Sequence, residues 1–217
     1  MIKIGKSVPN VSFYSCQPNS KAELNKIIKE RIKQEGSNCD LNDIDVSLID
    51  DMSNLFYKSK FTGYISRWNV SNVTNMRAMF AESVFDGDIS NWNVSKVKNM
   101  SSMFFSSKFN QDISKWNTSD LTYTNNMFYG ARFNKDISKW NISNVKSMTC
   151  MFSNSKFNGN ISGWDVSNVT DMYGMFAWSD FNGDISNWNV RKDCDIHCMF
   201  KNCSIKEEFK PKSLQKI

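Results

Sequence analysis

The chain has 217 residues, 13% of them aromatic, and a formal net charge of +5. No run approaches the ~18 consecutive apolar residues of a membrane-spanning helix. Residues 1–40 hold seven Lys/Arg against four Asp/Glu and residues 201–217 hold five against two, so the stretch between them is slightly acidic; that disfavours a nucleic-acid binder, whose basic stripe would run along its recognition face.

Residues 1–40 read as an N-terminal cap. The opening MIKIGKSVPNVSFYSCQ lacks the ~7–15-residue apolar core of a secretory signal, so the expected product is cytoplasmic. A helix is predicted over about 21–35. Ser20 and Glu23 form a capping box, Leu24, Ile27, Ile28 and Ile32 share one face, and Gly36 supplies the stop. Such a helix would cover the first layer of whatever follows and its unpaired edge.

From residue 41 to 205 the chain repeats every 24 residues. Trp68, Trp92, Trp116, Trp140, Trp164 and Trp188 mark the period. Ile65, Ile89, Ile113, Ile137, Ile161 and Ile185 keep it three residues earlier. Met79-Phe80, Met103-Phe104 and their successors keep it later, and Phe61, Phe85, Phe109, Phe133, Phe157 and Phe181 close the unit. A fixed period of this size is the mark of a stacked array. The I-x-x-W-x-V part suits a short strand with one buried face. The V-x-x-M-x-x-M-F part suits a helical or 3₁₀ segment. Gly63, Gly87, Gly159 and Gly183 are expected at positive φ in the return. The predicted fold class is an α/β solenoid of about six to seven 24-residue repeats behind an N-terminal capping helix, with the tryptophans as its buried spine.

Residues 206–217 read as a C-terminal cap or tail. Among six cysteines, Cys150, Cys198 and Cys203 fall in columns of small residues and read as small buried side chains. Cys194, His197, Cys198 and Cys203 have zinc-like types, yet their spacing matches no common zinc motif. No cofactor is expected.

The strand part I-x-x-W-x-V-x-x-V is close to the leucine-rich-repeat motif. The unit W-N-V-S-N-V-x-x-M-x-x-M-F followed by S-x-F-N-x-D-I-S resembles the repeats of BspA-like leucine-rich-repeat surface proteins. That resemblance implies a repeat scaffold without enzymatic activity, found at the cell surface or secreted, that adheres to host or bacterial proteins.

The residues themselves favour a non-catalytic protein-interaction module. With one histidine, a Cys/His enzyme has only Cys194 or Cys198 beside His197 to draw on, and carbohydrate binding would need the tryptophan column to face outward. An intracellular binder or inhibitor of a cellular protein is the alternative to an adhesin. Asn93, Asn117, Asn141 and Asp165, just after the tryptophans, either face a ligand or form a stacked amide ladder. Specificity is expected where columns vary, which nominates Arg67, Lys115 and Lys139. Trp178, off the 24-residue period, is a further contact candidate. The partner is a protein of unknown identity.

Overall fold

The structure, a computed structural model, describes residues 13–214. The polar opening segment 1–12, on which the expectation of a missing leader rests, and the last three residues of the tail lie outside that range. Helix α1 spans Lys21–Glu35. Ser20 Oγ accepts from the Glu23 N–H, and the Glu23 carboxylate accepts from the Asn19 N–H. Gly36 ends the helix at φ 93°, where an L side chain would be strained. Leu24 and Ile28 join the main apolar core, while Lys21 bonds Asp51 and Ser53 and Arg31 pairs with Asp43. The helix therefore packs beside the first repeat.

The α/β solenoid is overturned. Beyond α1 the described residues hold no other α-helix, only the 3₁₀ turns η1 (Glu207–Phe209) and η2 (Lys212–Leu214), and no extended strand. What repeats is a 24-residue rung made of tight turns. In the rung around Trp68, N–H groups of Trp68, Val73, Met79, Ala81 and Ser83 donate to the carbonyls of Ile65, Val70, Met76, Ala78 and Phe80, each three residues back. The expected strand segment is thus two turns, which aim Ile65, Trp68, Val70 and Val73 at the core together. The expected helical segment is three overlapping turns whose third positions alternate in hand. Ala78 and Glu82 stand at φ 54° and 55°, and the residues 24 apart from them repeat this down the chain. A left-handed residue in every fourth place stops the turns from winding into a helix.

Rungs are joined where the helix was expected. The N–H groups of Met76, Ala78, Phe80 and Glu82 donate to Asn99, Ser101, Met103 and Phe105 of the next rung at 2.7–2.9 Å. Isolated parallel bridges link Asp51, Asn75, Asn99, Tyr123, Ser147, Asp171 and Asp195 in succession. Alternate residues pair across each joint, as in a parallel ladder, but a strand never forms because every pairing residue also belongs to a turn.

Three further columns lock the register. The indole N–H of each of the six periodic tryptophans donates at 2.8–3.2 Å to the carbonyl 27 residues earlier, from Trp68 to Leu41 through Trp188 to Ile161. These six are 2–4% exposed. Phe56, Phe80, Phe104, Phe128, Phe152, Phe176 and Phe200 stack ring on ring at 5.5–6.0 Å. On the return segment Asp86 accepts the N–H of Asn110 through its side chain, and Asn110, Asn134, Asn158 and Asn182 each do the same for the residue 24 further on. Gly63, Gly87, Gly159 and Gly183 are not among the positive-φ residues. They are small for room: a Cβ on Gly87, Gly159 or Gly183 would lie 2.8–2.9 Å from the phenylalanine ring two residues before it, and one on Gly63 would strike the Cys39 carbonyl. Gln111 and Lys135 fill the same column, so this is a preference.

Candidate interaction surface

The joint segment has an inner and an outer side. Met76, Met79 and Phe80 turn inward and are buried, as are their apolar counterparts through Phe176, while Ile196 and Phe200 of the last rung are half-buried. Between them the side chains at the positions of Asn75, Arg77, Ala78, Ala81 and Glu82 are directed to the other side, where the small ones such as Ala78 and Ala81 are buried and the longer ones reach solvent. Contacts between neighbouring rungs show that these outer columns are continuous. Tyr57 and Lys58 both bond Glu82, Phe105 stacks on Tyr129 at 5.0 Å, and Tyr173 stacks on His197 at 5.8 Å. Thr149 donates to Asp171 at 2.6 Å.

This outer side is where the repeat stops repeating. Down the Asn75 column run Asp51, Asn99, Tyr123, Ser147, Asp171 and Asp195; down the Arg77 column run Ser53, Ser101, Asn125, Thr149, Tyr173 and His197. Tyr123 and Tyr173 are 47% and 41% exposed, and Trp178 is 59% exposed. Tyrosine and tryptophan set among serine, asparagine and glycine is the composition of binding surfaces that combine rigid aromatic anchors with adaptable hydrogen bonding.

The predicted contact residues divide between two sides of the molecule. Trp178 sits at the margin of the outer joint face, in the left-handed column at φ 60°. It forms no ring pair with Phe181, whose partners are Phe157 and Phe176. Arg67, Lys115 and Lys139 are exposed beside the tryptophans. They lie across the aromatic layer, because Phe80 packs on Trp92 from the joint side at 6.3 Å. Arg67 covers the Phe13 ring at 5.1 Å. Asn93, Asn117 and Asn141 are exposed and form no amide ladder: each accepts the N–H of the serine two residues on at 3.1–3.2 Å, as Asp165 does at 3.0 Å. The amide ladder runs instead through Asn110, Asn134 and Asn158.

The repeated carboxylates are occupied in the same way. Asp88, Asp112, Asp136 and Asp184 accept the N–H groups of Ser90, Ser114, Ser138 and Ser186 at 2.8–2.9 Å. Those backbone bonds, with the serine hydroxyls second, hold the acids below the usual carboxylate range. The side-chain bond from Ser167 does so for Asp165.

All six thiols are unpaired, and no three potential ligands converge on a metal position among the described residues. Cys194 is buried, which pushes its thiol up to about 11. His197 is exposed on the joint face, and Cys203 bonds the Phe181 carbonyl. Cys150 and Cys198 are only half-buried. Their column is small because it is left-handed, at φ 52° and 57°.

In the sequence the joint face shows only as variation between repeats, in the columns of Asn75, Arg77 and Ala81 as well as in that of Trp178. Residues 23–132, and again 106–210, match the family described as "Mycoplasma protein of unknown function, DUF285". Overlapping matches along one chain indicate a repeat-containing family. No curated protein and no solved structure matches the chain.

Proposed function

We propose a function for a chain that belongs to this family, DUF285, from the surface it presents: a non-catalytic module that binds a protein partner through the outer side of the rung joints. The observation that carries this reading is the contrast between columns. Core, turn and relay positions repeat rung after rung, while Tyr57, Phe105, Tyr123, Tyr129, Tyr173 and Trp178 break the pattern on one face. A scaffold bonded at every joint presents such side chains with little ordering left to do on binding. Repeated acids tied to backbone N–H groups support a structural role for them rather than proton transfer. The likeness of the repeat to BspA-like surface proteins makes adhesion to a host or bacterial surface protein the form of binding we favour.

The test starts from affinity capture with the purified chain against extracts of the native host and its surroundings, read by mass spectrometry. Binding of each captured protein is then compared between two variants. Tyr123→Ala/Tyr173→Ala/Trp178→Ala removes three exposed anchors and is expected to lower affinity by about 100-fold or more, as loss of central aromatic contacts does. Lys115→Ala/Lys139→Ala, across the core, is expected to bind as the parent does. A partner that holds the first variant as tightly as the parent, or depends on the two lysines instead, would sink the assignment.

A further inference from the structure

The joints are polar, and the last one is unfilled. Throughout the stack four N–H groups at alternate residues point to the following rung and meet four carbonyls. In the final rung these N–H groups belong to Ile196, Cys198, Phe200 and Asn202, and none has a partner among the described residues. The carbonyls of Ile196, Cys198 and Phe200 are taken within the rung by Met199, Lys201 and Cys203. The row itself therefore offers donors alone, and it is flanked by the carbonyls of Cys194 and Cys203, whose counterparts Thr170 and Ser179 accept from the following rung.

After Cys203 the chain turns away from this row. Phe209 accepts the Ile185 N–H, Ser186 accepts the Lys212 N–H, and the Ser213 hydroxyl bridges the Val190 N–H and the Trp188 carbonyl. The described part of the C-terminal segment thus covers the tryptophan half of the end and lays Lys210 over the Phe200 ring at 5.5 Å, but leaves the four N–H groups of the joint row unpaired. Two clefts flank the bare row: one of about 610 Å³ between Val190, Cys194, Ile196 and Leu214, the other of about 300 Å³ between Ile196, Phe200 and Pro211. Lys192, His197 and Lys201 are exposed on this rung.

We propose that this edge binds an extended segment of a partner protein in which acidic and apolar residues alternate, added to the stack as one more pairing strand. Carbonyls on alternate residues of such a segment match the four donors, and strand addition to an open edge is an established mode of peptide capture. Side chains of a strand point alternately to two sides. One set enters the clefts, the larger of which Lys192 borders, and the other meets His197 and Lys201. A row of donors with Lys192 and Lys201 exposed beside it, Asp193 already paired with Arg191 and Asp195 bonded to the His197 N–H, selects acidic over basic side chains. Four alternate carbonyls span about seven residues of strand.

The probe is the heptapeptide acetyl-Glu-Leu-Asp-Val-Glu-Leu-Asp-amide, titrated into the ¹⁵N-labelled full chain. The expected result is saturable movement of the Ile196, Cys198, Phe200 and Asn202 amide resonances. The same peptide with lysine at its four acidic positions is expected to leave them in place. Lys192→Glu/Lys201→Glu is expected to weaken binding by about tenfold or more. Tyr123→Ala/Tyr173→Ala/Trp178→Ala is expected to bind the probe like the parent, which keeps this site separate from the joint face. Unmoved amides at millimolar acidic peptide would overturn the proposal. So would equal binding of the lysine peptide, loss of binding in the tyrosine–tryptophan variant, or the same shifts from sodium glutamate alone.

Discussion

Twelve non-glycine residues among those described hold a positive φ, all but evenly spaced by the repeat. Left-handed backbone costs an ordinary residue roughly 1–2 kcal/mol, and β-branched residues tolerate it worst. None of the twelve is valine, isoleucine or threonine. Ser106, at φ 48° and exposed, isolates the effect. Ser106→Val is expected to lower unfolding free energy in urea by about 1–2 kcal/mol. Ser106→Gly is expected to leave it equal or to raise it by up to about 1 kcal/mol, since relief of strain is offset by the flexibility of the unfolded glycine. A second residue-scale test concerns the indole bond. Trp116→Phe keeps an aromatic ring but removes one of the two donors to the buried Ile89 carbonyl, which retains the Trp92 N–H. The expected loss is about 0.5–1.5 kcal/mol, read from the same urea transition.

The rung is the element of this protein, and it explains what was readable in advance. Helix α1 was legible from end to end because its cap, apolar face and glycine stop all agree. The 24-residue period, the tryptophan spine and the phenylalanine columns were legible because burial selects residue type directly. The backbone path was not. Apolar residues at i, i+3 and i+4 fit a helix and equally fit overlapping turns, and spacing carries no information about the sign of φ. The small residues at Ala78, Ser102 and Cys150 were that missing signal, and they passed for tight packing. On the candidate site, Trp178 stands out in the sequence because it breaks a column, whereas Tyr123 and Tyr173 sit in a segment whose spacing reads as helical. Since each joint is the same, removing residues 97–120 should splice Lys96 to Leu121 with every column intact. That variant is expected to stay folded, with a smaller urea m-value because less surface is exposed on unfolding. Removing residues 97–119 instead shifts all later columns by one place. Its far-ultraviolet circular dichroism and unfolding transition are expected to show a largely unfolded or aggregated chain.

Across the whole molecule the repeated acids set a common pH response. Asp88, Asp112, Asp136 and Asp184 are held below their ordinary range, chiefly by backbone N–H donors. A carboxylate whose folded pKa is depressed contributes stability above its unfolded pKa, about 3.9, and loses it as pH falls through the folded value. Thermal midpoints are thus expected to be flat near neutrality and to fall together as pH drops below about 4. Replacing all four by asparagine should blunt that fall, because Asn160 already makes the same bond to Ser162. The left-handed columns carry one more consequence. They run through the face that we assign to partner binding, so that face is written in a restricted alphabet. Charged, amide, hydroxyl, thiol and aromatic letters are allowed at those places, and valine, isoleucine, threonine and proline are struck out by the backbone itself. Duplicated rungs can diverge toward new partners by rewriting those letters while the grammar of the stack stays fixed.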